Sequence, residues 1–154
     1  MPVQRLKEFL DHHSVRYVVI THSPAFTAQE IAANAHIPGK ELAKAVMVKI
    51  DGDMAMAVLP ASRHVDFDAM ETAIGIGSID LATEAEFRDL FPQCELGAMP
   101  PFGNLYGIPV YVAVALAEDE DIAFNAGTHR ELVRMKYKDY ERLVQPVILK
   151  FSAT

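Results

Sequence analysis

A lysine set into an apolar strand is the first residue able to do chemistry. In the run AKAVMVKI, Lys44 shares the parity of Val46, Val48 and Ile50, whereas Lys49 falls on the other face. A lysine that begins an apolar face either snorkels from the strand end or stands in a cleft where an anion or carbonyl satisfies it. The second feature is Gly97-Ala98-Met99-Pro100-Pro101-Phe102-Gly103, which packs rigid and permissive residues into one short stretch of the loop ending at Pro109. Such a loop either connects a helix to a strand or presents backbone amides to a ligand. The third is Asn125-Ala126-Gly127-Thr128-His129. Gly127 could aim the imidazole of His129 into a pocket to hydrogen-bond a substrate hydroxyl or water, or the histidine could be structural. His64-x-Asp66-x-Asp68, and His12-His13 with His22, match no established zinc spacing, and Asp66 suits a helix cap, so no metal and no cofactor are expected. Cys94 has no nearby basic motif and reads as a buried, inert thiol.

These residues need elements to hold them. Val3, Leu6 and Leu10 lie at helical spacing, and Val15 to Ile20 (VRYVVI) reads as a strand. Thr27-x-x-Glu30 opens a short helix as a capping box, closed by Pro38-Gly39. The strand-like runs AKAVMVKI and DMAMAVL join through Asp51-Gly52, the dipeptide of a tight hairpin. Asp66 to Ile74 places Phe67, Met70 and Ile74 on one helix face ahead of Gly75. Thr83-x-x-Glu86 is a second capping box, leading Phe87, Leu90 and Phe91 into the stop at Pro92. Strand-like YVAVAL, IAFNAG and ELVRM follow, then a short helix from Asp139 to Leu143 and a terminal strand VILKF. Hairpins interleaved with helices predict a mixed α/β (α+β) domain, a mixed sheet with short helices packed around it.

No repeat or linker divides the 154 residues, and a 51% hydrophobic composition suits one packed core. A single cysteine excludes an intrachain disulfide and suits a reducing compartment. The N-terminus has no signal-peptide pattern and the longest apolar stretch, IPVYVAVALA, is about half a membrane span. The expected address is cytoplasmic, with no membrane partner. The balance of 14 Lys+Arg against 21 Asp+Glu argues against DNA and against a broad nucleic-acid surface.

Lys44 at the head of AKAVMVKI, the Gly-x-x-x-Pro loop at Gly97 to Pro101 with Gly103 beyond it, and the Gly127-Thr128-His129 turn occur in an order and approximate spacing that resembles the YbaK/EbsC family. That family includes freestanding aminoacyl-tRNA deacylases and is similar to the editing domain of bacterial prolyl-tRNA synthetase. The segment THSPAFTAQEIA is similar to its N-terminal pocket helix, and the likeness runs from about Leu6 to Phe151. The resemblance implies a barrel-like mixed sheet and hydrolysis of the ester joining a wrong amino acid to the tRNA 3′-terminal adenosine. Lys44 would be the essential lysine that engages the 3′ end. Gly97, Ala98, Met99, Pro100, Pro101 and Gly103 would form the substrate loop, with Gly127 and His129 binding substrate. Phe26, Ile31 and Met47, near the matched motifs, are candidate pocket walls. Ala45 stands where the alanine-specific branch has Asn, a departure that bears on amino-acid selectivity. The implied partner is an aminoacyl-tRNA 3′ end, and an aminoacyl-tRNA synthetase is a further candidate. A non-catalytic module that binds either remains the alternative.

An aminoacyl ester is already activated, so such an enzyme needs an oriented water and oxyanion stabilisation more than a side-chain nucleophile. Charge is also unevenly placed. Residues 1–127 hold 8 Lys+Arg and 18 Asp+Glu, a balance of −10, and residues 128–154 hold 6 and 3, a balance of +3. Arg130, Arg134 and Lys136, just after His129, are therefore candidate RNA contacts, with solvated surface charge as the plain alternative.

Overall fold

The computed structural model describes residues 4–22, 37–75 and 77–154; Thr27, Glu30, Phe26 and Ile31 lie outside the described residues. Helix α1 (Gln4–His12) carries Leu6 and Leu10 into the core and is followed by β1 (Tyr17–Thr21). Strands β2 (Leu42–Ile50) and β3 (Asp53–Pro60) form the expected hairpin, with Asp51 and Gly52 at φ 51° and 86° and a register running from Ala43↔Pro60 to Ile50↔Asp53.

Strand β4 (His64–Val65) precedes α2 (Phe67–Ile74), which is built as its sequence predicts. Asp66 Oδ1 accepts from the Ala69 amide at 3.0 Å, and Gly75 ends the helix at φ 85°. After β5 (Ile79–Leu81), the Thr83 capping box opens α3 (Glu84–Phe87): the Glu86 amide donates to Thr83 Oγ1, and the Thr83 amide to Glu86 Oε1. The rest of that segment tightens into a 3-10 turn, Arg88–Leu90, and the Gly/Pro loop holds another, Gly103–Tyr106.

The run YVAVAL departs from expectation. Strand β6 (Val110–Ala113) stops at Ala113, and Val114–Ala117 coils into α4, because Leu116 is then fully buried while Val114 is left exposed. Strands β7 (Asp121–Asn125) and β8 (Glu131–Lys136) are joined by the Gly127 turn, and α5 (Tyr137–Val144) begins two residues earlier than its sequence suggests. VILKF is split: β9 (Val147–Leu149) ends before Phe151, which is buried, and β10 (Ser152–Ala153) pairs instead with β4.

The main sheet runs β1-β8-β7-β2-β3-β6-β9, with β5 also pairing β2. It is mixed, as predicted: β2·β7, β3·β6 and β6·β9 are parallel, the other pairs antiparallel. It is open, since β1 and β9 end the order among the described residues, so the barrel-like expectation is corrected to an unclosed sheet. Both faces are covered. Ala43, Met47, Val58, Phe124 and Val133 face a core shared with Leu6, Leu10, Phe102 and Tyr140. On the reverse face Val48, Ala57 and Leu59 pack with Met70 and Phe151, and Leu42, Ala123 and Leu132 pack with Ile37.

Strand β2 is flanked unevenly. On one side β3 accompanies it throughout; on the other β7 pairs only Leu42 and Ala43, and β5 only Val48 to Ile50. Met47 O still accepts from the Ala82 amide just after β5, so Lys44 to Val46 lie where β7 and β5 part.

Candidate active site

Lys44 is the first residue of β2 past the β7 ladder. Carrying the parallel register one step further sets it beside Asn125, and alternation places it on the face of Leu42 and Val46, opposite Leu59 of β3. It is half-buried, and among the described residues no carboxylate or carbonyl pairs with its ammonium. Burial therefore pushes its pKa down from the ordinary lysine value, with nothing to offset it. Half-burial with no partner among the described residues is compatible with both readings the sequence left open, a snorkelling lysine and one that awaits an anion or carbonyl.

The glycine loop and the histidine turn, far apart in sequence, dock onto each other. The Glu95 amide donates to Gly127 O at 2.7 Å, the Gly127 amide to Ala98 O at 2.9 Å, and the Ala98 amide back to Glu95 O at 3.0 Å. The Glu95 carboxylate accepts from the His129 amide at 2.6 Å and lies 3.6 Å from His129 Nδ1. The turn continues β7, whose ladder with β2 stops one residue before Lys44, so the docked loop and turn follow the end of the strand that neighbours the start of β2. Glu95 was not foreseen: an acidic residue two places before a glycine carries no signal of its own.

Within the loop, Gly97 is exposed and takes φ 85°, a left-handed conformation that a side chain strains. A Cβ there would meet His129 Nε2 at 3.6 Å, an ordinary contact, so the backbone angle rather than space calls for glycine. Ala98, Met99, Pro100, Pro101 and Gly103 are buried, which narrows the expectation of a loop open along its length. The Ala98 and Phe102 amides are used internally and prolines have none; among the described residues the amides of Gly97 and Met99 carry no hydrogen bond. The fully buried Tyr140 of α5 fixes the loop's far end, its hydroxyl donating to Pro101 O at 2.6 Å.

Met47 lies on the face opposite Lys44, within the main core, where it supports the strand. His129 is 8% exposed. Cys94 is partly rather than fully buried; desolvation raises its pKa, and its Sγ is 3.6 Å from the Tyr106 hydroxyl. Arg130, Arg134 and Lys136 are exposed. Arg134 approaches Glu41 at 3.4 Å and Asp121 at 3.9 Å, and Lys136 approaches Glu120 at 4.0 Å. Such loose surface pairs are worth about 0–1 kcal/mol each and yield readily to a better anion.

A model of the aminoacyl-tRNA editing domain matches residues 22–143. The chain is 30% identical to the multifunctional Ser/Thr-tRNA deacylase ProXp-y of Escherichia coli K12 over 156 residues, spanning 98% of this chain and 93% of that protein. The protein of the same name from Escherichia coli O157:H7 matches equally. Among solved structures, a hypothetical protein aligns with a TM-score of 0.86 at 17% identity, over 97% of this chain and 100% of that one. A candidate trans-editing enzyme for prolyl-tRNA synthetase aligns with a TM-score of 0.81 at 20% identity, over 98% and 96% of the two chains. At these identities the solved structures show a shared fold.

Proposed function

Because the chain belongs to the aminoacyl-tRNA editing domain family, we propose that it is a trans-editing deacylase that hydrolyses the ester of misacylated tRNA. The observation that supports the site assignment is the half-buried Lys44 ammonium, unpaired among the described residues, just past the ladder with β7, the strand that the His129 turn continues. A partly desolvated cation without an acceptor is suited to an anionic or carbonyl oxygen of the substrate, where its charge is screened least. Lys44 binds the 3′ end in this reading. The amides of Gly97 and Met99, without a hydrogen bond among the described residues, would supply donors for the oxyanion, with His129 and Gly127 bordering the amino acid.

Water adds to the ester carbonyl carbon, the bond from that carbon to the ribose oxygen breaks, and the ribose oxygen leaves with a proton. A neighbouring ribose hydroxyl can assist the proton transfer, which removes the need for a side-chain nucleophile. Selectivity comes from pocket size. A methylene is worth about 1–3 kcal/mol in a pocket, so a synthetase admits small impostors that a second, smaller site then removes. Seryl- and threonyl-tRNA are the first substrates to try, given the relative's activity, with Ala45 arguing against the alanine-specific pattern. Phe26 and Ile31 remain candidate walls, and Arg130, Arg134 and Lys136 candidate contacts to the tRNA. Association with a synthetase is part of the same reading, supported by the structural relative.

The test is ester loss from a panel of seryl-, threonyl-, cysteinyl- and alanyl-tRNAs. Hydrolysis of at least one, abolished in Lys44→Ala with the fold retained, is the expected result. No hydrolysis above the Lys44→Ala control across the panel rejects the catalytic assignment.

A further inference from the structure

The sheet face that carries Lys44 continues into a groove that, in a chain of net charge −7, collects three cations against two acids, two of the cations held by loose ion pairs to Glu41, Asp121 and Glu120. Pairings place side chains on this face in rows. Lys44, Asn125, Leu132 and Ile20 form one; Leu42, Ala123, Arg134 and Val18 form the next; Asp121 and Lys136 begin the third. Carrying the β1·β8 register one residue outward sets Arg16 beside Lys136. A groove of about 690 Å³ occupies the last two rows, lined by Arg16, Arg134 and Lys136, with Asp11 and Asp121 as its acids. Asp11 is already taken by Lys7 at 2.8 Å and by the Tyr17 hydroxyl at 2.7 Å. Arg16 is exposed and, among the described residues, makes no ion pair.

Distances suit a nucleotide chain that starts at Lys44. Rows are about 7 Å apart along the strands and β8 lies two strands, about 10 Å, from β2. Arg134 and Lys136 thus sit about 12 and 17 Å from Lys44 at the backbone, on the order of four to five nucleotides at about 3.4 Å per nucleotide along one strand. Val18, 60% exposed in the middle row, offers apolar surface between the cations rather than opposing charge.

We propose that Arg16, Arg134 and Lys136 form a phosphate track that binds the tRNA sugar-phosphate backbone leading from the acceptor stem to the aminoacylated end at Lys44. The track rests on the deacylase reading for its direction, and it adds Arg16, which lies outside the basic C-terminal segment.

The experiment is binding of an uncharged acceptor-stem minihelix, followed by fluorescence anisotropy across a salt series, with the trinucleotide CCA as the short comparison. The wild-type protein binds the minihelix more tightly than CCA. Arg16→Glu with Lys136→Glu weakens minihelix binding at least tenfold and reduces the slope of log K against log salt by about 0.7–0.9 for each phosphate no longer neutralised. The milder Arg16→Gln shifts both in the same direction, and unchanged melting temperatures verify the folds. Minihelix affinity within twofold of wild type in the double variant, or a wild-type protein that prefers CCA, overturns the track. Deacylation of the seryl-tRNA panel member separates the two ideas. Hydrolysis with an unaltered KM in the variants sinks the track alone, whereas salt-sensitive minihelix binding without hydrolysis of any panel member sinks the deacylase reading alone.

Discussion

Replacing Lys44 by Met should stabilise the protein while destroying its activity. In the folded chain the Lys44 ammonium is half-buried beside Leu42 and Val46 and opposite Leu59, without a counter-charge among the described residues, so its pKa falls below the ordinary 10.5. Below the folded value both states hold the proton and the full desolvation penalty weighs on the fold. Between the folded value and 10.5 the unfolded chain binds the extra proton, so stability rises with pH and the penalty fades. Met fills similar space without charge. Solvent screens the half of the side chain that stays wet, so at pH 7 the gain should be about 0.5–1 kcal/mol, within the range usual for removing a functional liability, and Tm should rise by about 1–4 °C. Loss of the cation that positions the substrate's 3′ end should cost about 10² or more in kcat/KM. Thermal unfolding at pH 7 and near pH 10.5, with deacylation measured alongside, tests both halves. A lower Tm at pH 7 would make Lys44 structural, and a gain of equal size at both pH values would trace it to packing rather than to charge.

Tyr140→Phe keeps the ring packing against Phe102 and Phe124 but strands the buried Pro101 carbonyl, at a cost of about 1–3 kcal/mol. Thermal unfolding checks this, and an unchanged Tm would mean that the carbonyl has another donor. Gly97→Ala forces a side chain into φ 85°, at a cost of about 1–2 kcal/mol, and the loop's relaxation should lower kcat at least tenfold; wild-type kcat would show that the loop's shape is not needed. Glu86, held by Lys49 at 2.5 Å and by the Thr83 capping bonds, has its pKa lowered from 4.5 to about 2. Its contribution is present above pH 4.5 and disappears as pH falls toward 2, so Lys49→Met should flatten the dependence of the urea midpoint in that window.

Local rules were enough for the hairpin, both ends of α2 and the Thr83 capping box, because in each the deciding hydrogen bonds or φ angles lie within a few residues. Where the outcome depended on distant packing, pattern alone failed. Val114 to Ala117 coil because Leu116 finds the core that way, and the terminal strand breaks at Lys150 because Phe151 is drawn under the sheet while its carbonyl accepts from the Asp66 amide. In the site, type and parity singled out Lys44, and the resemblance grouped it with the loop and the turn. The bonds that lock the latter two, centred on Glu95, span more than thirty residues and leave no trace in sequence. The C-terminal cations were visible as a charge excess. Their pairing with Glu41 and Asp121, and the place of Arg16 beside them, depend on strand order.

The parting of β5 and β7 around β2 makes the candidate site adjustable from a distance. Strand β5 is tethered by Asp51, whose carboxylate accepts from the Ser78 amide, and by Glu71 of α2, which accepts from the Ile79 amide, both at 2.9 Å. On the other flank, β7 is pinned through the Ala123 amide to Glu41 O. These anchors lie away from Lys44, yet together they set how far the two strands stand apart. If Lys44 holds the substrate as proposed, substitutions in the tethers would be a route by which drift or engineering alters the space beside it while Lys44 itself stays the same.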